Sequence, residues 1–151
     1  MRISSTAFPE GENIPTQYTC DGKGISIPLQ WQDVPAGAKS LALIMDDPDA
    51  PMGTWVHWVM YNLPPEPGGL AEGQPADIFL PNGAIQGKNT SGKTGYASPC
   101  PPDRQHRYFF KLYALDCVLE KRPGMSKAAL LEVMQGHILE ECQTFGVYDR
   151  R

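Results

Sequence analysis

Ser40-Leu41-Ala42-Leu43-Ile44-Met45-Asp46-Asp47-Pro48-Asp49-Ala50-Pro51 runs from an uninterrupted apolar stretch straight into three carboxylates and two prolines. A short apolar run bounded by such a turn signal reads as a buried strand. Proline fixes φ and withholds a backbone donor, so the acids sit on a stiff corner. Like charges crowded on a rigid corner destabilise it, and groups placed at such a cost tend to mark sites. Taken alone, the same residues also read as an acidic turn solvating the end of a strand.

The flanking sequence carries the same strand pattern. Trp55-Val56-His57-Trp58-Val59-Met60-Tyr61 is apolar on both faces, as a central strand covered on both sides would be. Strict alternation predicts Trp55, His57, Val59 and Tyr61 on one side. His106 to Leu115 predicts another strand, with His106, Tyr108, Phe110, Leu112 and Ala114 on one face, and residues 27–31 a short one. Fifteen glycines and fifteen prolines break the chain into short runs, which favours an all-β sandwich or barrel over long helices. Residues 64–96 hold no clear pattern, and so long a loop in a small domain is usually functional. One helix is predicted over 127–141, with Ser126 as N-cap and Leu130, Val133, Met134, His137 and Ile138 as its buried stripe. Glu140 and Glu141 oppose the macrodipole at its end. A final short strand is expected over 144–148.

No repeat or linker divides the 151 residues, which predicts a single domain spanning 1–151. The net charge is −4 and there is no Lys/Arg run, which argues against nucleic acid as a partner. Met1-Arg2-Ile3-Ser4-Ser5-Thr6 has no apolar signal region, and no segment has the length of a membrane span, so a cytoplasmic protein without membrane insertion is expected. In that compartment Cys20, Cys100, Cys117 and Cys142, widely spread and lacking a Cys-x-x-Cys pair, are expected to be thiols. Their spacing gives no structural zinc site.

Three groups near strand ends can converge: Asp47 with Asp49, His57, and His106 with Tyr108. A lone His between tryptophans is more often a core residue than a ligand-binding one. His106 and Tyr108, two apart, share a face and look like the rim of a concave site. The preceding Gly95-Tyr96-Ala97-Ser98-Pro99-Cys100-Pro101-Pro102 is stiffened by prolines. Its remaining N–H groups, at Ala97, Ser98 and Cys100, could form a backbone nest for an anion, or the segment could be a plain connector.

Asp47-Pro48-Asp49-Ala50-Pro51, Trp55-Val56-His57-Trp58, Pro99-Cys100-Pro101-Pro102 and His106-Arg107-Tyr108, in that order and with Thr19-Cys20-Asp21-Gly22 upstream, resemble the phosphatidylethanolamine-binding protein family, also called Raf kinase inhibitor-like. The likeness covers nearly the whole chain and is greatest to the compact bacterial and archaeal branch. It implies a β-sandwich of antiparallel sheets with one or two short flanking helices. It also implies a small anion pocket built from Asp47, Asp49, His57, Ser98, His106 and Tyr108, with Pro48 and Pro99 shaping the walls. The chain departs from the branch at Ala97-Ser98, where two glycines are usual. Relatives bind phospholipid headgroups, inhibit kinases or proteases, and are often dimers.

The expected function is therefore non-enzymatic recognition of a small anionic or zwitterionic group, with inhibition of a protein kinase or protease as its consequence, a homodimer as its form, and no cofactor or resident metal. A phosphoethanolamine headgroup suits the pocket, its phosphate meeting the Ser98 N–H, Tyr108 and a protonated His57, and its ammonium meeting Asp47 or Asp49. The alternative is a hydrolase that uses the Asp/His pocket on a phosphoester, or holds a divalent metal through Asp46, Asp47, Asp49 and His57. Against it stands the lack of a nucleophile elbow, P-loop or His-x-x-x-His pair. A third reading gives the 64–96 loop and Tyr96 the recognition of a partner protein.

Overall fold

The computed structural model describes residues 1–150 and is built on two antiparallel sheets. The smaller sheet orders β1 (Arg2–Ser4), β2 (Leu29–Gln32) and β5 (Gly69–Leu70). The larger orders β6 (Ile85–Gln86), β4 (Trp55–Leu63), β3 (Ser40–Asp47), β7 (His106–Leu115) and β8 (Ile138–Tyr148). A helix, α1 (Lys127–Met134), and a 3-10 turn at Thr16–Tyr18 complete it.

All of β3 is buried because the larger sheet is covered on both faces. Leu41, Leu43 and Met45 pack with Trp58, Met60, Phe110 and Leu112 against Ile3, Leu29 and Trp31 of the smaller sheet. Ala42 and Ile44, on the other face, pack with Val59 and Tyr61 against Leu130 and Met134 of α1. β7 alternates as its sequence predicts.

β4 does not. Met45 pairs with Trp58 but Asp46 pairs with Val56, so His57 is the extra residue of a bulge. A bulge shifts the side-chain phase by one. Val56 therefore joins Val59 and Tyr61 on the helix face. His57 turns to the other face, where its ring meets the edge of Tyr108 at 5.2 Å. The expected shared side for Trp55, His57, Val59 and Tyr61 is thus corrected by one inserted residue.

The helix is shorter than expected. It ends at Met134, Gly136 takes φ +81°, and the chain re-enters the sheet at Ile138. His137 and Ile138 continue the helical rhythm only by coincidence. β8 pairs with β7 along its whole length, from Leu115↔Ile138 to His106↔Tyr148, and so absorbs the strand expected at 144–148. Glu140 and Glu141 lie on an edge strand, where charge is common because it discourages further pairing; Glu140 also pairs with the N-terminal amine.

The 64–96 segment is ordered from within. The buried Gln86 amide accepts from Trp58 Nε1 (2.7 Å) and donates to the carbonyls of Pro75 (2.7 Å) and Asp77 (2.8 Å). Tyr96 packs edge-on against Trp58 and donates to the Tyr18 carbonyl, so it is a packing residue and does not project from the surface to meet a partner.

The cysteine expectation is also corrected. Cys20 and Cys100, 80 residues apart in sequence, form a disulfide, leaving Cys117 and Cys142 free. Spacing could not reveal it, because the pairing depends on the Thr16–Tyr18 turn docking beside the 97–102 segment, where Cys20 N–H donates to the Pro99 carbonyl (3.1 Å). No helix among the described residues is long and apolar enough to cross a membrane.

Candidate functional site

β3 leaves the sheet at Asp47, β7 enters it at His106, and the bulge aims His57 between them. Together with the 98–102 segment these ends enclose a cavity of about 340 Å³. Asp47, His57, Ser98, His106 and Tyr108 line it, joined by Ala50, Pro51, Trp55, Cys100, Pro101 and Pro102. Pro48, Asp49 and Pro99 are not among the lining residues.

The three clustered acids do not face one another as free charges; each has its own base. Successive strand residues point oppositely, so Asp46 lies on the helix side, where Lys111 (3.1 Å) and Lys127 (2.5 Å) meet its Oδ2. Asp47 Oδ2 is 2.6 Å from His106 Nδ1, and its Oδ1 accepts from Asp49 N–H (2.8 Å). Asp49 takes Arg107 in a fork, with Nε and Nη2 at 2.9 Å each, and also accepts the Arg107 backbone N–H (2.9 Å). Four groups that the spacing suggested as a metal set, Asp46, Asp47, Asp49 and His57, are therefore separated onto different partners.

The guanidinium beside Asp49 holds its carboxyl down at about 2, the Arg107 side-chain bonds contributing most. A carboxyl depressed in the fold stabilises it above the unfolded pKa and stops doing so as pH falls through the folded one. Acid titration is accordingly expected to remove this contribution between about pH 4 and 2, read as a drop in thermal midpoint that is smaller in Asp49→Asn.

His106 is buried with a carboxylate at each ring nitrogen, Asp47 at Nδ1 and Asp103 at Nε2 (2.7 Å). A neutral imidazole has one N–H, so two such contacts need a second proton, on the ring or on a carboxyl. Either way the three groups together carry one negative charge.

His57 is buried, and its Nδ1 lies 2.6 Å from the Ala97 carbonyl. A carbonyl only accepts, so Nδ1 carries the proton and Nε2 of the neutral ring is an acceptor. Burial pushes this imidazole below its ordinary value, outweighing the Ala97 bond and the Asp47 and Asp46 charges. The resting His57 is thus neutral, in contrast to the protonated partner expected for a phosphate.

Donors are supplied by other groups. The Tyr108 hydroxyl and Ser98 have no hydrogen-bond partner among the described residues, and both line the cavity. Burial, then the Asp47, Asp49 and Asp103 charges, push the Tyr108 phenol up, so it keeps its proton. Ala97 N–H is spent on the His57 carbonyl (2.9 Å), which removes it from the expected nest. Neither Ala97 nor Ser98 has a positive φ, so this backbone path does not need the glycines usual there. Trp55, 4.6 Å from the His57 ring, and the walls formed by Pro51, Pro101 and Pro102 belong to the quoted motifs but not to the expected pocket set. Their place in those motifs was the available signal.

A sandwich whose strand ends enclose a small pocket of paired acids, two histidines and a tyrosine defines a binding-protein architecture, and comparison with known proteins agrees. The family model for phosphatidylethanolamine-binding protein matches residues 4–149, and the chain belongs to that family. It falls in the bacterial and archaeal branch. A Methanothermobacter thermautotrophicus protein named only "UPF0098 protein" is 54% identical over 99% of both chains. The crystal structure of a Chlamydia trachomatis protein, described as a putative phosphatidylethanolamine-binding protein homolog, superposes with TM-score 0.92 at 49% identity, covering 99% of this chain and 97% of that one. Escherichia coli YbcL, described as a new member of the mammalian family, gives 0.90 at 31% identity, with 99% and 98% coverage.

Proposed function

We propose that the cavity binds a small oxyanion, a phosphate monoester or carboxylate of phosphoethanolamine size, without turning it over. The observation that carries this is the engagement of the nearby acids, Asp49 by Arg107 and Asp47 by His106, beside two uncommitted donors, Tyr108 and Ser98. Asp49, ion-paired with Arg107, no longer imposes the roughly 4 kcal/mol repulsion that a bare charge at 4 Å would exert at an effective dielectric near 20, and the cluster of Asp47, His106 and Asp103 carries one negative charge where two bare carboxylates would carry two. Their engagement also makes them poor partners for a ligand ammonium, so the anionic end dominates recognition. Inhibition of a protein kinase or protease would follow if the occupant is a group displayed by such a partner, and dimerisation would present two pockets. The hydrolase reading has less support: Cys100 is bridged to Cys20, the acids are engaged, and His57 has a carbonyl behind it where a general base would have an orienting carboxylate.

An anion at Nε2 favours the imidazolium, so binding draws a proton onto His57. Affinity is expected to rise as pH falls below the ordinary imidazole value, by up to about tenfold per pH unit for one proton taken up. Sulfate, whose own charge is constant over this range, isolates the protein's share. Heteronuclear NMR titrations with sulfate and with O-phosphoethanolamine are expected to shift His57, Ser98, His106 and Tyr108 saturably, with the sulfate pH slope lost in His57→Gln. An absence of saturable shifts at these residues at any pH refutes the proposal.

A further inference from the structure

At the far end of β7, about 30 Å of strand away from the pocket, three residues of different ligand chemistry meet. Asp116 and Cys117 directly follow β7, and His137 directly precedes β8. One carboxylate oxygen, the Sγ and one ring nitrogen all lie within 4.8 Å of one another. We propose that Asp116, Cys117 and His137 form a three-ligand site for a zinc-type divalent ion, with its fourth position open to solvent.

The backbone holds the donors in place. Asp116 N–H donates to the His137 carbonyl (3.0 Å), clamping the two strand ends together beside the Leu115↔Ile138 pair. His137 N–H is tied to the Met134 carbonyl (3.0 Å), and Ser40 Oγ donates to the Cys117 carbonyl (2.6 Å). The side chains keep freedom to adjust: His137 and Asp116 are each nearly half exposed, paired at 2.9 Å through Nδ1 and Oδ1. In a tetrahedral zinc site with metal–ligand bonds of about 2.0–2.3 Å, ligand atoms stand roughly 3.3–3.6 Å apart. Rotations of two exposed side chains close the remaining ångström or so without moving either strand.

The donor set chooses the metal. One thiolate, one imidazole and one carboxylate suit zinc, whereas magnesium and calcium want oxygen alone and an iron–sulfur cluster wants several cysteines. Three protein ligands leave a coordination position for water, and the exposure of Asp116 and His137 puts it at the surface. Cys117 and His137 are too far apart in sequence for a spacing motif to reveal them. The sheet brings them together.

Cobalt(II) is the probe, because it adopts zinc's geometry and reports its ligands optically. Titrating the disulfide-intact protein without reductant under anaerobic conditions is expected to give one equivalent of binding. A thiolate-to-cobalt charge-transfer band and tetrahedral d–d bands should appear, then vanish when zinc is added. Losing an outer-sphere partner of a ligand costs about 10–100-fold in metal affinity, so losing a direct ligand costs at least that. Cys117→Ser should abolish the charge-transfer band, and His137→Ala should weaken zinc binding by more than about tenfold. Cys142→Ser should change neither. Absence of saturable binding, or a charge-transfer band that survives Cys117→Ser, would overturn the assignment; the latter would place the ion on Cys142, the other free thiol. Because β7 separates the two sites, a failure here leaves the anion pocket standing, and the reverse holds.

Discussion

His106→Ala is expected to lower the folding free energy by about 3–5 kcal/mol, the cost of stripping a buried carboxylate of its counter-charge. The side chains of His106 and Asp47 are 1% and 4% exposed, so the pair is shielded from water in the intact fold, and entry of water from the cavity that both line places the expected loss toward the lower end of that range. Asp47 Oδ1 would keep the Asp49 N–H, but Oδ2 would face the cavity without a side-chain counter-charge. Against a typical domain stability of about 5–15 kcal/mol, such a loss shows plainly in a urea midpoint. Removing both partners should cost less than the sum, because a neutral pair of small side chains leaves no orphaned charge. The measurement is a double-mutant cycle of Asp47→Ala and His106→Ala by urea unfolding. Additive single and double effects would show that the imidazole is only filling space.

This cycle bears on why an acidic corner exists at all. Read as a string, Asp46, Asp47 and Asp49 look like a charge cluster held at a cost. In the fold the strand alternation sends Asp46 to the helix face and Asp47 to the pocket, while the Pro48 corner swings Asp49 across to Arg107. The acids bind two elements, α1 and β7, to the end of β3. A cluster that seemed to mark chemistry therefore serves first as the clamp that shapes the pocket, and the proposed anion contacts fall to Tyr108, Ser98 and His57.

What the sequence disclosed follows from how local each cause is. β3, the start of β4 and β7 were legible because each carries its own apolar pattern. The bulge at His57 was not, since one extra residue is defined only against β3. The helix ran too long because His137 and Ile138 fall on the rhythm of Leu130 and Met134, while the break comes from Gly136 in the left-handed region. β8 was underestimated because its first half is a solvated edge with polar side chains, whose strand character comes from pairing with β7. At the site, residue types were readable but ion partners were not: nothing local links Asp49 to Arg107 or His106 to Asp47 rather than to a ligand. The Cys20–Cys100 bond lay furthest from view, since it joins segments that only the finished fold makes neighbours.

Opening that bond is expected to have the other large effect. Cross-linking residues 80 apart removes loop-closure entropy from the unfolded chain, worth about 4–5 kcal/mol on the chain-entropy model and about 2–5 kcal/mol for native disulfides in practice. Urea unfolding with and without reductant, and of the Cys20→Ser/Cys100→Ser pair, should show a midpoint lowered accordingly. Binding should suffer separately, because Cys100, Pro101 and Pro102 form one wall of the cavity and Ser98 precedes them. Without the bridge, the Cys20 N–H to Pro99 carbonyl bond is the backbone link tying that wall to the 3-10 turn. In conditions where the reduced protein remains folded, sulfate affinity should therefore fall while the His57 pH slope persists, since the His57–Ala97 pair is untouched. Equal affinity in the two forms would mean that prolines alone stiffen the wall. A large fall would make the pocket responsive to the redox state of its surroundings, and would tie its use to compartments oxidising enough to keep the bridge closed.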